Sequence, residues 1–89
     1  MPTLIFTQQL RRFIPAPEVT TAAATLRAAL EDAFGAHPQL RGYVLDDQGH
    51  LRRHLTVFID GRRLRDHADL SDPLQPASKV HVMQALSGG

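Results

Sequence analysis

The sequence contains neither cysteine nor tryptophan. Without thiols it can form no disulfide scaffold, no thiolate metal site and no cysteine nucleophile, and nothing in it marks a redox compartment. It has no apolar run of membrane-spanning length and no N-terminal segment of signal-peptide character. A cytoplasmic protein with no membrane contact is therefore expected. The signatures of catalysis are missing as well: there is no nucleophile elbow, no metalloprotease HExxH and no phosphate-cradling glycine loop. The carboxylates Glu31/Asp32 and Asp46/Asp47 are sequence neighbours whose side chains diverge, which makes each a poor acid–base pair. His50 and His54 would share a face in a strand, but no cysteine or clustered carboxylate completes a ligand set. Surface histidines and no metal site are expected. The chain is not expected to be an enzyme.

Lysine is scarce: nine of the ten basic residues are arginine, and Lys79 is the tenth. The arginines cluster as Arg11-Arg12, Arg52-Arg53 and Arg62-Arg63-x-Arg65, although the formal net charge is only +1. Such clusters make either a solvated face or a surface for an acidic protein partner. No aromatic residues interleave with them as stacking platforms would require, so nucleic acid is not an expected partner.

The chain has 89 residues. That is one domain, burying roughly 60–65% of its unfolded surface. Thr3–Phe6 reads as a strand with Leu4 and Phe6 on one face and Ile5 on the other. Leu10 returns to the core. Pro15 and Pro17 punctuate the next link, and Glu18–Thr21 completes a first hairpin. Ala22–Phe34 is the one clear helix: Leu26, Leu30, Ala33 and Phe34 form a buried stripe. Thr21 or Thr25 caps its start, and Gly35 is its natural stop before Pro38. Arg27 and Glu31 are spaced to pair weakly on its outer face.

Tyr43–Asp46 and Leu51–Asp60 read as strands around a turn at Asp47-Gln48-Gly49. In the second, Leu55, Val57 and Ile59 alternate with His54, Thr56 and Phe58. Asp60-Gly61 is a reverse turn, and Arg62–Arg65 is an edge segment with Leu64 inward. Leu70 and Leu74 seat a loop on the core. Lys79–Leu86 is the last strand, with Val80 and Val82 on one face and His81, Met83 and Ala85 on the other. This order predicts an α+β fold, a mixed sheet of four to five strands with one main helix across one face. Residues 1–85 form the domain and 86–89 a flexible tail.

Two features carry the functional reading. Ile5, Phe58 and Met83 face away from the helix, with His81 among them and Leu86 at the strand's end. They are either scattered surface hydrophobes or one apolar patch suited to docking a partner. The second feature is the end, Ser87-Gly88-Gly89. Glycines carry no side chain and pass through a channel too narrow for other residues. Four residues from Leu86 reach at most about 14 Å when extended. That is enough to deliver a main-chain carboxylate into another protein's cleft, so a carrier activated at its own C-terminus is expected.

The segment Val80-His81-Val82-Met83-Gln84-Ala85-Leu86-Ser87-Gly88-Gly89 resembles the end of the ubiquitin-like sulfur carriers of the ThiS/MoaD family. Leu55-Thr56-Val57-Phe58-Ile59-Asp60-Gly61-Arg62 resembles that family's central strand and turn. Thr25-Leu26 with Leu30, and Leu10-Arg11 after the first strand, also fit. The length and the long link over residues 36–54 look most like the carriers of bacterial cysteine synthesis. Where family members often have an acidic turn before the last strand, this chain has Gln75-Pro76-Ala77-Ser78-Lys79.

The resemblance implies a β-grasp (ubiquitin-like) fold. It also implies that an E1-like enzyme adenylates Gly89 with ATP and magnesium, that sulfide or a persulfide converts it to a thiocarboxylate, and that a sulfur-accepting synthase takes the sulfur. Gly88 and Ser87 would give access, Ile5, Phe58, His81, Met83 and Leu86 would dock partners, and no cofactor would be bound. A protein modifier, with Gly89 acylating lysines, shares the first step. A non-covalent β-grasp interaction module is the third reading. The receiving pathway, the sulfur donor and the choice between monomer and weak homodimer stay open.

Overall fold

The computed structural model describes residues 1–6 and 18–84. Leu10, Arg11, Arg12, the Pro15–Pro17 link, Ala85, Leu86, Ser87, Gly88 and Gly89 lie outside the described residues, as does any division of the chain at residue 85. The elements are β1 (Thr3–Phe6), β2 (Glu18–Thr20), helix α1 (Leu26–Ala36), a 3-10 turn at Pro38–Leu40, a short helix α2 (Arg41–Val44), β3 (Leu55–Ile59), β4 (Arg62–Arg63) and β5 (Lys79–Gln84). The five strands form one sheet in the order β2-β1-β5-β3-β4. β1 and β5 run parallel and the other neighbours antiparallel. The sheet is therefore mixed, with the last strand at its centre and α1 across one face.

Period-two alternation builds that face. Leu4, Phe6, Leu55, Val57, Ile59, Val80 and Val82 point inward and are buried, against Leu26, Ala29, Leu30, Ala33 and Phe34 of α1. The expected start of the helix at Ala22 is corrected to Leu26. Thr25 is extended (φ −133°, ψ 158°), and its Oγ1 accepts from the Ala28 N–H at 3.3 Å. The segment before it is held by tertiary bonds from Thr21 and Ala24 instead. Thr21 is buried and donates its hydroxyl to Asp32, while Leu74 N–H donates to the Ala24 carbonyl. Gly35 does not stop the helix, which continues to Ala36 and is capped by His37. The stop comes from Pro38, which drives the preceding residue out of the helical region.

Two expected strands are also corrected. Tyr43–Asp46 is not a strand: α2 occupies Arg41–Val44, and only Leu45 pairs, in an isolated bridge to Leu51. Leu40 and Val44 are fully buried at helical spacing while Tyr43 is 45% exposed. Gly42, a poor helix former, hid that pattern. The strand expected over Leu51–Asp60 is confined to Leu55–Ile59. His50 and His54 therefore share no strand face: His50 follows the Gly49 turn, and His54 precedes β3.

The β3–β4 hairpin closes through Asp60 (φ 52°) and Gly61 (φ 84°), with Ile59 opposite Arg62. Two successive left-handed residues are what a tight two-residue hairpin requires. The irregular stretch from Leu64 to Ser78 is held by side chains rather than by regular pairing. Leu64, Leu70 and Leu74 are buried, as expected. The Asp66 carboxylate accepts from the Ser71 hydroxyl and from the N–H groups of Ala68, Asp69 and Ser71. These bonds, the Ser71 hydroxyl first, hold its carboxyl well below the usual range. Leu70 adopts a left-handed φ of 57°, a conformation that is unfavourable for a residue with a Cβ. Its complete burial, and the bond its carbonyl accepts from Arg27 N–H at 2.8 Å, offset that cost.

Candidate docking face

The face of the sheet opposite α1 gathers the outward residues into rows. In register, Glu18 lies opposite Ile5, Ile5 opposite His81, His81 opposite Phe58 and Phe58 opposite Arg63. Directly opposed residues share a face, so these five form one row across all five strands. One step along β5, Met83 lies opposite Thr56. Ile5, His81, Phe58 and Met83 are each half-buried, while Glu18 and Arg63 at the two ends are exposed. The structure thus brings four of the expected docking residues side by side. Leu86, Ser87, Gly88 and Gly89 lie outside the described residues.

The sheet order places this face on a stable support. β5 is central, bonded on both sides, and it ends at Gln84, the last described residue before the final five. Its start is fixed by Asp60. The Asp60 carboxylate accepts from Lys79 N–H at 2.9 Å and from the Ser78 hydroxyl at 2.7 Å, and Asp60 N–H donates to the Lys79 carbonyl at 2.9 Å. The Lys79 N–H, and after it the Ser78 hydroxyl, lower the Asp60 carboxyl below its ordinary value. The start of β5 is thus held by Asp60, and its last residue, Gln84, pairs with Leu55 of β3.

This arrangement matches structures already solved. SAMP1 from Haloferax volcanii superposes with a TM-score of 0.79 at 24% identity, over 99% of this chain and 98% of that one. The BexX/CysO complex of Amycolatopsis orientalis contains a match with a TM-score of 0.86 at 18% identity, over 100% of both chains. The small archaeal modifier protein 1 of Methanosarcina acetivorans matches with a TM-score of 0.82 at 17% identity, over 99% of this chain and 95% of that one. The fold is the β-grasp. No family model and no curated protein matches the sequence itself.

Within this β-grasp domain, the central position of the last strand and the single row through Ile5, His81 and Phe58 follow from its parallel pairing with β1 on one side and its antiparallel pairing with β3 on the other. Sequence reasoning missed the two charges that end the row. Arg63 stood out only as part of an arginine cluster, and Glu18 only as the start of a short strand. Alternation assigns each a face, but register, which only strand pairing supplies, places them in line. Thr56 was also missed. It is 8% exposed, and its Oγ1 has no hydrogen-bond partner among the described residues. Among those residues no cluster of three or more His, Asp or Glu is placed to hold a metal, and no helix is long and apolar enough to cross a membrane.

Proposed function

We propose that this β-grasp chain is a sulfur carrier, working in the cytoplasm as the co-substrate of an E1-like activating enzyme and a sulfur-accepting synthase. The observation that carries the reading is the course of β5. The central strand of the sheet carries His81 and Met83 on its outer face and leads, five residues after Gln84, to Gly88-Gly89. A docking face and a side-chain-free end are joined by one short segment. Likeness to the CysO chain of the BexX/CysO complex supports the same reading.

The chemistry needs a partner. A terminal carboxyl titrates at about 3.3–3.7, so at neutral pH it is an anion and a poor electrophile. ATP, with magnesium held by the activating enzyme, converts the Gly89 carboxylate to an acyl-adenylate and releases pyrophosphate. Sulfide then attacks the acyl carbon, AMP leaves, and Gly89 becomes a thiocarboxylate. The enclosing partner keeps water from the adenylate. This chain's residues supply recognition through Ile5, Phe58, His81, Met83 and Leu86, and passage through Ser87 and Gly88.

The likeness to small archaeal modifier protein 1 favours a second reading, in which activated Gly89 acylates a lysine of a target protein. Intact-protein mass spectrometry separates the two after incubation with ATP, sulfide and an activating enzyme. Replacement of one oxygen by one sulfur, lost on deleting Gly89, supports the carrier. Conjugates to target lysines in place of that species support the modifier. Function retained in cells after Gly89 deletion overturns both.

A further inference from the structure

The outer row reads Glu18, Ile5, His81, Phe58, Arg63 from edge to edge: acidic at β2, basic at β4, with apolar Ile5 and Phe58 flanking a central histidine. Such a row is complementary to its own reverse. We propose that this face associates with a second copy of the same chain, face to face, about a two-fold axis running along β5. That axis reverses the order of strands across the interface. Glu18 then meets Arg63 of the other copy, twice, and Ile5 packs on the other copy's Phe58, twice. His81 and Met83, on the axis, meet their own counterparts. A two-fold axis running across the strands instead would set Glu18 against Glu18 and Arg63 against Arg63, so charge selects one orientation.

Aligned sheets pack about 10 Å apart with strand directions within about 30°, which keeps these pairs within side-chain reach. The row spans four inter-strand steps, about 19 Å, and β5 is roughly 20 Å long. The contact is thus roughly 400 Å² of projected face per copy, about half the ~800 Å² per partner of a standard interface, and the dimer is weak and reversible. One group opposes it. Lys79 lies on the outer face and on the axis, two residues before His81, and meets its own counterpart at the rim. The dimer hides the face that a partner enzyme would use, so free carrier and self-associated carrier compete. That consequence rests on the carrier reading, whereas the dimer itself does not.

The test is sedimentation equilibrium of the full chain from about 10 μM to 1 mM at low ionic strength, the range that suits an interface of this size. Wild type is expected to show a monomer–dimer equilibrium. Glu18→Arg and Arg63→Glu, both at exposed edge positions, each set like charges together twice and should weaken association about tenfold. The double swap Glu18→Arg/Arg63→Glu should restore it, and Lys79→Ala should tighten it. A wild type that stays monomeric throughout overturns the proposal. So does a dimer indifferent to either reversal, or a double swap that fails to rescue. Any of those results leaves the mass-spectrometric test of the carrier untouched.

Discussion

Arg27 holds the irregular half of the molecule to the helix, and its replacement should show how much that half depends on one side chain. Its guanidinium donates from Nε to the Asp69 carbonyl at 3.1 Å, and from Nη2 to the carbonyls of Gly49 at 2.7 Å and Ala68 at 3.1 Å. The pairing with Glu31 expected from the sequence is present but long, at 3.9 Å. Such an exposed pair contributes about 0.3–0.5 kcal/mol at most. The three carbonyl bonds matter more. A bond to a charged donor contributes about 1.5–3 kcal/mol when buried, and the Arg27 side chain is 32% exposed. Water replaces part of what is lost, so Arg27→Ala should cost about 2–3 kcal/mol. Lysine keeps the charge but not the planar fork, and Arg27→Lys should cost about half as much, ~1–1.5 kcal/mol.

Urea denaturation measures both changes, and the melting temperature should fall by about 8–24 °C for the alanine variant. Hydrogen exchange adds a local readout: the amides of Arg27, bonded to the Leu70 carbonyl, and Leu51, bonded to the His67 carbonyl, should lose protection more than those of β5. A loss under about 1 kcal/mol for alanine, or a lysine variant as stable as wild type, would refute the staple.

Acid should loosen the same region. The Asp60 and Asp66 carboxyls titrate below their unfolded values, so their contribution is complete above roughly pH 4 and is lost as pH falls through the folded values. Melting temperature followed from pH 7 to pH 2.5 should fall in that window, and Asp66→Asn should flatten the fall. Two glycines should respond in opposite directions to alanine. Gly61→Ala forces a Cβ into φ 84° and should cost about 1–2 kcal/mol by denaturant titration, although the space is open. Gly35→Ala lies inside α1, also in open space, and should stabilise by about 0.5–1 kcal/mol. On the proposed carrier reading, Phe58→Ala and Met83→Ala should raise the concentration needed for half-maximal activation severalfold while leaving the melting profile two-state. Unchanged activation kinetics in both would remove the outer face from the docking step.

Legibility in the sequence followed the type of force at work. β1, β3, β5 and the core stripe of α1 were visible because burial on one face imposes a period, and that period is written in residues such as Leu55, Val57 and Ile59. The boundaries were less visible because they are set by partners far along the chain. Thr25 starts the helix because Pro73 and Leu74 bind the strand-like residues before it. Residues 41–54 were misread because α2 is a single turn at helical spacing, broken by Gly42, and a four-residue segment fits either period. The loop from Leu64 to Ser78 left almost no periodic trace, since Asp66, Asp72 and Arg27 hold it by polar bonds.

The candidate site divides along the same line. Alternation alone put Ile5, Phe58, His81 and Met83 on the outer face. Only the pairings of β5 with β1 and β3 aligned three of them in a row, and those of β1 with β2 and β3 with β4 set Glu18 and Arg63 at its ends. On the proposed reading, recognition and chemistry belong to different parts of the chain. The row crosses all five strands with β5, bonded on both sides, at its centre, so substitutions on its outer face are expected to leave the path of β5 unchanged. On the proposed reading, such substitutions alter how tightly a partner holds the carrier, and changes at Gly88 or Gly89 alter whether it can be activated once held. A double variant, Phe58→Ala with Gly89 deleted, should therefore match the deletion alone in activation and the Phe58 variant alone in binding. Failure of that independence would mean that the tail contributes to docking, and that the face and the terminus act as one site.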